Sequence, residues 1–281
     1  MKMHFTNRDV IGFTSHLTSE ERAPATREKY ERDVRYFLEF TERDGGRINK
    51  ETVIRYKNHL GEKYAPTSAN SMIAALNSFF RWAGVPHLAV KRFKVQRESF
   101  SSEEKELTRE EYLRLISSAE ARGDLRLSLM LQTICSTGIR VSELAFITLR
   151  AVQSGEARVF SKGKSRRVFI LPRLQKKLKD FARKSGISSG AIFVSSSGTP
   201  ISRNRVWREM KSLCQAARVS PKKVFPHNLR HLFARSFLEV DKDVVKLADI
   251  LGHSNINTTR IYTVSSGAEH RRKMQMLRLI S

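Results

Sequence analysis

Pro226-His227-Asn228-Leu229-Arg230-His231, then Leu251-Gly252-His253, then Thr258-Thr259-Arg260-Ile261-Tyr262: this stretch decides how the chain is read. Pro226 suits the first turn of a helix, where a missing N–H costs nothing. His227 and Arg230 lie three apart and share a face with Ala234. Leu229, Leu232, Phe233 and Phe237 populate the other side, which is expected to be the buried one. The basic pair therefore falls at a helix N-terminus, where oriented N–H groups suit an anion. A second helix turns Val244, Leu247, Ala248 and Leu251 inward and stops at Gly252, so His253 follows the stop directly. Tyr262 closes a short helical segment opened by Ser254 to Thr258. His227 and His231 are spaced like zinc ligands, but the Glu of an H-E-x-x-H motif is absent and no metal is expected.

The charge balance narrows the partner. With 281 residues the chain is expected to hold two domains, and its formal charge is +24. The excess is uneven: residues 1–98 carry 18 Lys and Arg against 12 Asp and Glu, and residues 108–281 carry 33 against 13. Such a field points to a polyanion, with nucleic acid first and a membrane surface second. No apolar run reaches the ~18 residues that span a bilayer, and no long basic amphipathic helix stands alone, so a membrane role is not expected. Met1-Lys-Met-His-Phe-Thr6 has no signal-peptide core, and a cytoplasmic, nucleoid-associated protein is expected. Cys135 and Cys214 form no motif and read as buried free thiols.

Four amphipathic patterns precede Gly84. Thr6 can cap a helix with Val10, Ile11, Phe13 and Leu17, and Thr26 opens one with Tyr30, Val34, Phe37 and Leu38. Asn49 precedes Val53, Ile54, Tyr56 and Leu60, and Ser68 precedes Met72, Ile73, Leu76, Phe79, Phe80 and Trp82. The aromatic stripe reads as core rather than as a platform for bases. Residues 1–84 are therefore expected to form a helical bundle, and the polar stretch 85–106 an interdomain linker.

Residues 107–281 make the second domain. Thr108 and Glu111 form a capping box, and the nearly all-apolar run Leu125–Cys135 reads as a central helix. Gly138 breaks it, Arg140 follows on a rigid turn, and Glu143 can orient or neutralise that arginine. Val141 to Leu149 begin another helix. Residues 157–172 switch to a period of two around Gly163, a β-hairpin with Lys162 at its tip. Lys162, Lys164, Arg166 and Arg167 could make that tip a solvated turn. Further helices are expected over 174–184 and 203–217. The fold class is thus mainly α with a small β-hairpin.

Together these residues resemble the tyrosine recombinase (phage integrase) family. The resemblance is carried by Thr137-Gly-Ile-Arg140-Val-Ser-Glu-Leu144, Ser161-Lys162-Gly-Lys164, Pro226-His227-Asn-Leu-Arg230-His231, Leu251-Gly-His253-Ser and Thr258-Thr-Arg-Ile-Tyr262-Thr. Five motifs in the family's order span about residues 108–265, and the N-terminal bundle is similar to the family's core-binding domain at the level of pattern.

The resemblance implies a set of roles. Tyr262 is the nucleophile that forms a 3′-phosphotyrosyl bond, Arg140 and Arg230 clamp the phosphate, and His253 adds a hydrogen bond to it. His227 assists proton transfer at Tyr262, Lys162 protonates the leaving 5′-oxygen, and Glu143 supports Arg140. No cofactor or metal is implied. The implied partners are double-stranded DNA and three further protomers in a synaptic homotetramer resolving a Holliday junction, with a possible accessory DNA-bending protein or second recombinase. The compact type of this family serves integration, excision, inversion or dimer resolution. Two other readings stand beside it: a DNA-binding protein that has kept the fold without the chemistry, and a type IB topoisomerase. The first would have lost a tyrosine, arginine or histidine, and none is lost. The compact bundle, and an apolar tail after Val264 suited to docking on a neighbour, favour a recombinase over the second.

Overall fold

Packing separates Met1–Arg97 from Glu98–Ser281 in the computed structural model of the protein. The structure describes residues 4–42, 45–95, 105–161, 164–195, 197–253, 255–263 and 275–276. In the first unit the apolar stripes form four helices: α1 (Asn7–Ser19), α2 (Pro24–Glu42), α3 (Lys50–Lys63) and α4 (Pro66–Trp82). Phe13, Phe37, Phe79 and Phe80 are fully buried, and edge-on pairs such as Phe37–Phe80 lock the bundle. The aromatic stripe is core. Two helices start earlier than their polar residues suggest: α2 at Pro24 rather than Thr26, and α4 at Pro66 rather than after Ser68. In both, proline supplies the first turn without needing an N–H partner.

The stretch after Gly84 does not leave this unit at once. Val85, Leu88 and Val90 are buried in its core. Asn77 pairs through its side-chain amide with both the N–H and the C=O of Val90, and Asn70 does the same with Phe93. Two amides on α4 thus satisfy an extended backbone as a neighbouring strand would.

The second unit is built around α6 (Leu125–Thr137), whose Leu127, Leu129, Met130, Leu131 and Ile134 are buried. Against it pack α5 (Arg109–Ala121), α8 (Pro172–Lys184) and α11 (Pro226–Val240). The Thr108–Glu111 capping box forms in full, with both reciprocal bonds at the start of α5. Residues after Arg140 make a 3-10 turn, Val141–Phe146, and only then α7 (Leu149–Ser154), capped by Thr148. One continuous helix from Val141 was expected. The Glu143 side chain instead bonds the Arg140 N–H and draws this segment into a tighter turn. The hairpin is antiparallel, β1 (Glu156–Ser161) against β2 (Lys164–Phe169), with Val159 opposite Arg166. The expected helix over 203–217 is split into α9 (Arg203–Lys211) and α10 (Cys214–Ala217). Last comes α12 (Val244–Leu251), ended by Gly252 in the left-handed region at φ +65°, then the 3-10 turns Ile256–Thr258 and Arg260–Tyr262. Among the described residues no helix is long and apolar enough to cross a membrane. The tail after Thr263, expected to dock on a neighbour, lies outside the described residues apart from 275–276.

Candidate active site

Arg230 occupies the centre of the second unit. The expectation that its helix face looks outward is corrected here, because Arg230 is only 1% exposed and Ala234 is fully buried. Two helix ends explain how a buried guanidinium is tolerated. Nη1 donates to the carbonyl of Gly138, just past α6, at 2.5 Å, and Nη2 donates to that of Leu251, the last residue of α12, at 2.8 Å. Both are free acceptors at the negative ends of helix dipoles. Burial, and then the nearby Arg140 charge, still pull the Arg230 pKa down to about 10. Its Nε is buried and has no hydrogen-bond partner among the described residues.

His253 and Tyr262 are attached to this centre. Arg230 Nη2 stands 2.8 Å from His253 Nε2, and a guanidinium only donates, so Nε2 accepts. The ring proton then sits on Nδ1 and is donated to Thr259 Oγ1 at 2.8 Å. Burial, followed by repulsion from Arg230, Arg140 and Arg166, lowers the His253 pKa to about 4. The Tyr262 ring stacks on His253, with centroids 6.1 Å apart, and meets His231 edge-on at 4.7 Å. His231 in turn meets His227 edge-on at 4.7 Å, so it bridges the rings of His227 and Tyr262. Tyr262 is 5% exposed, and its buried hydroxyl lies near Arg230 without a well-aligned hydrogen-bond partner among the described residues. Tyr262 belongs to a small apolar cluster with Ala234, Leu247 and Leu251, and a buried phenol oxygen with so little pairing carries a cost that a reactive group can justify.

A cleft of about 420 Å³ opens beside this cluster. Arg140, Arg203, His227 and Arg230 line it, with Ser142 and Trp207, and among the described residues its lining contains no carboxylate. His227 is exposed as a residue, yet packing around its ring and then Arg230, Arg140 and Arg203 lower its pKa below the usual imidazole value. It is therefore neutral near pH 7 and able to accept a proton. The N-terminus of α11 opens on the same cleft through Pro226 and His227. Cations, a helix N-terminus and no acid make an anion site.

Glu143 joins two arginines under the cleft. It is 1% exposed. Burial works against its charged form, but Arg166, the Arg140 N–H and the Arg140 guanidinium outweigh this and hold its carboxyl below the usual range. Of the cations that could have made the hairpin tip a solvated turn, Arg166 does not: its side chain is 11% exposed and grips both Glu143 oxygens. The period-two pattern carried the signal, since Arg166 has the parity of buried Val168 and faces Val159. Thr259 and His231 are likewise parts of the site to which residue types alone assign no task. Thus Arg140, Glu143, His227, Arg230, His253 and Tyr262 are brought together, while Lys162 lies outside the described residues.

This arrangement has relatives. The profile described as the Phage integrase family matches residues 105–269, and that of the phage integrase N-terminal SAM-like domain matches residues 10–84. The chain belongs to the phage integrase family. Among its fellow tyrosine recombinases, it is 33% identical over 280 residues to the tyrosine recombinase XerA of Thermococcus kodakarensis, covering 96% of this chain and 94% of that one. It is 31% identical over 283 residues to the tyrosine recombinase XerD of Halalkalibacterium halodurans, covering 93% and 94%. A crystal structure of XerA recombinase aligns over 99% of this chain and 100% of its own, at 27% identity and a TM-score of 0.55. The fold is also that of a lambda integrase dimer bound to a COC′ core site, at a TM-score of 0.74 and 20% identity over 95% and 97% of the two chains.

Proposed function

We propose that this tyrosine recombinase cuts and rejoins duplex DNA at defined sites through a covalent link to Tyr262. One observation carries the reading: the Tyr262 ring lies between His231 and His253, and His253 is bonded to an Arg230 whose Nε remains unpaired. The Tyr262 oxygen attacks phosphorus, the bond to the 5′-oxygen breaks, and the phosphate is held as a 3′-phosphotyrosyl ester. His227 receives the tyrosine proton and Lys162 gives one to the leaving oxygen. Arg140 and Arg230 bind the non-bridging oxygens, where fixed planar donors act most as negative charge develops. The ester keeps the bond energy, so rejoining reverses the same steps.

The two units divide the labour: a core-binding domain whose bundle covers residues 1–84 and onto which residues 85–93 pack, a junction that follows, and a catalytic domain from residue 107. Four protomers pair two duplexes and exchange strands in turn through a Holliday junction, with an accessory DNA-bending protein or second recombinase setting direction. Some structural relatives were solved on DNA as a dimer and on a Holliday junction as a tetramer, which supports this assembly. The cytoplasm, at the nucleoid, is where such a substrate is met.

The test is a nicked suicide duplex carrying the repeats that flank the gene. Wild-type protein is expected to leave a denaturation-resistant adduct on the gel. Tyr262→Phe is expected to bind the same duplex and leave none. An adduct with the phenylalanine variant would refute the assignment of Tyr262.

A further inference from the structure

Arg166 is a largely enclosed cation that the proposed reaction does not use. All three of its guanidinium nitrogens are engaged: Nη1 and Nη2 donate to Glu143 Oε1 and Oε2 at 2.9 and 2.7 Å, and Nε donates to the Ile250 carbonyl at 3.1 Å. One side chain on β2 is thereby fixed to the 3-10 turn that follows Arg140 and to the end of α12 that precedes His253. The stop of α12 is shaped around it, since a Cβ at Gly252 would stand 2.8 Å from Arg166 Cδ.

The sharing of Glu143 is unequal. Arg166 holds it with two parallel bonds, the strong form of an arginine–carboxylate pair. Arg140 reaches it from its side chain with Nη1 alone, at 2.9 Å, and its side chain stays 33% exposed at the cleft. A buried carboxylate needs full pairing. Without Arg166, the acceptor sites of Glu143 would fall to Arg140, which can swing into the two-bond grip because it lies three residues away on the same turn. Its charge would then be cancelled and its remaining donors turned from the cleft.

We propose that Arg166 is a positioning residue: by occupying Glu143 it keeps Arg140 free to bind the scissile phosphate. The inference rests on the proposed role of Arg140. It names this residue as the brace linking the hairpin that bears Lys162 to the ends that bear Arg140 and His253.

The experiment is a double-substitution cycle on the intact chain, comparing wild type, Arg166→Met, Glu143→Gln and the pair. Adduct formation is followed in single turnover at saturating protein on the suicide duplex, below the melting point of each variant. Affinity for the same duplex is measured at one salt concentration. Arg166→Met is expected to slow adduct formation about 10²-fold, as loss of a charge-stabilising donor does, with affinity held within about threefold. Adding Glu143→Gln is expected to restore at least about tenfold of that rate, because the carboxylate that captures Arg140 is gone while the amide still caps its N–H. A pair no faster than Arg166→Met alone would overturn the proposal, as would equal losses of affinity and rate. If Arg166→Met does not fold, Arg166→Lys carries the test: a point charge cannot grip both oxygens. It should be slow and rescued by Glu143→Gln, and a wild-type rate would count against the brace. Arg140→Ala and Tyr262→Phe run alongside: activity in either removes the underlying reading, separately from the cycle.

Discussion

Arg230 shows how a single residue sets the electrostatics of its neighbours. Its charge is compensated by backbone carbonyls rather than by a carboxylate, so it remains positive toward the cleft and toward His253. Both His231 and His253 are poor bases, each lowered to about 4, first by burial and then by the cations and imidazoles around them, Arg230 among these. Unfolded, the same groups take up protons near pH 6.5. Between about 6.5 and 4 the unfolded chain thus binds protons that the folded chain refuses, and stability must fall as pH falls through that window. Glu143 adds a second, lower step: its folded carboxyl is depressed, so its contribution is lost only as pH drops below the usual carboxylate value of 4.5. Melting temperature is therefore expected to decline between about pH 7 and pH 5, and the decline to flatten in a His231→Gln/His253→Gln variant. An unchanged slope in that variant would mean other groups control the acid limb.

Elements rather than residues deliver these groups to one place, and the junction of α6 with α11 is the sharpest case. Gly138 ends α6 at φ +65°, and a Cβ there would lie 2.5 Å from a Phe233 ring atom and 2.9 Å from Leu251. The close approach lets the Gly138 carbonyl reach Arg230. Gly138→Ala is expected to cost about 2–4 kcal/mol, from left-handed strain of ~1–2 plus overpacking. Because the carbonyl must shift, it should also slow adduct formation in molecules that remain folded. Chemical denaturation together with single-turnover cleavage checks both; a folded variant with a normal rate would deny the carbonyl its role. Gly138 was legible in the sequence as a helix stop, as were the Thr108–Glu111 box and the hairpin. The depth of Arg230 was not, because a helical stripe reports which residues share a face and not which other elements cover it. Nor was the grip of Arg166, since four cations in a row beside a glycine turn look the same whether one of them folds under or none does. The tight turn after Arg140 escaped for a similar reason: an apolar period fits both a 3-10 turn and an α-helix over six residues.

At the scale of the whole molecule the formal charge of +24 governs encounter with DNA more than any single contact does. The surplus lies mainly in residues 108–281, where Lys and Arg outnumber Asp and Glu by 33 to 13. Part of it lines α8, where Arg173, Lys176, Lys179 and Lys184 are exposed along one helix. Such a surface binds phosphates by releasing their condensed counterions, so affinity follows salt as a power law. If six to ten phosphates are neutralised, binding should weaken by about 10³-fold or more between about 50 and 200 mM salt. Tyr262→Phe should follow the same line, because the substitution removes none of the cations that replace phosphate counterions. Anisotropy titrations of a labelled duplex at several salt concentrations give the slope directly. A shallow slope for both proteins would place the affinity in base contacts and apolar burial, and the cationic surface would then serve only solubility. A shallow slope for wild type with a steep one for Tyr262→Phe would instead mean that the covalent link, which salt does not release, holds the DNA in the wild-type protein.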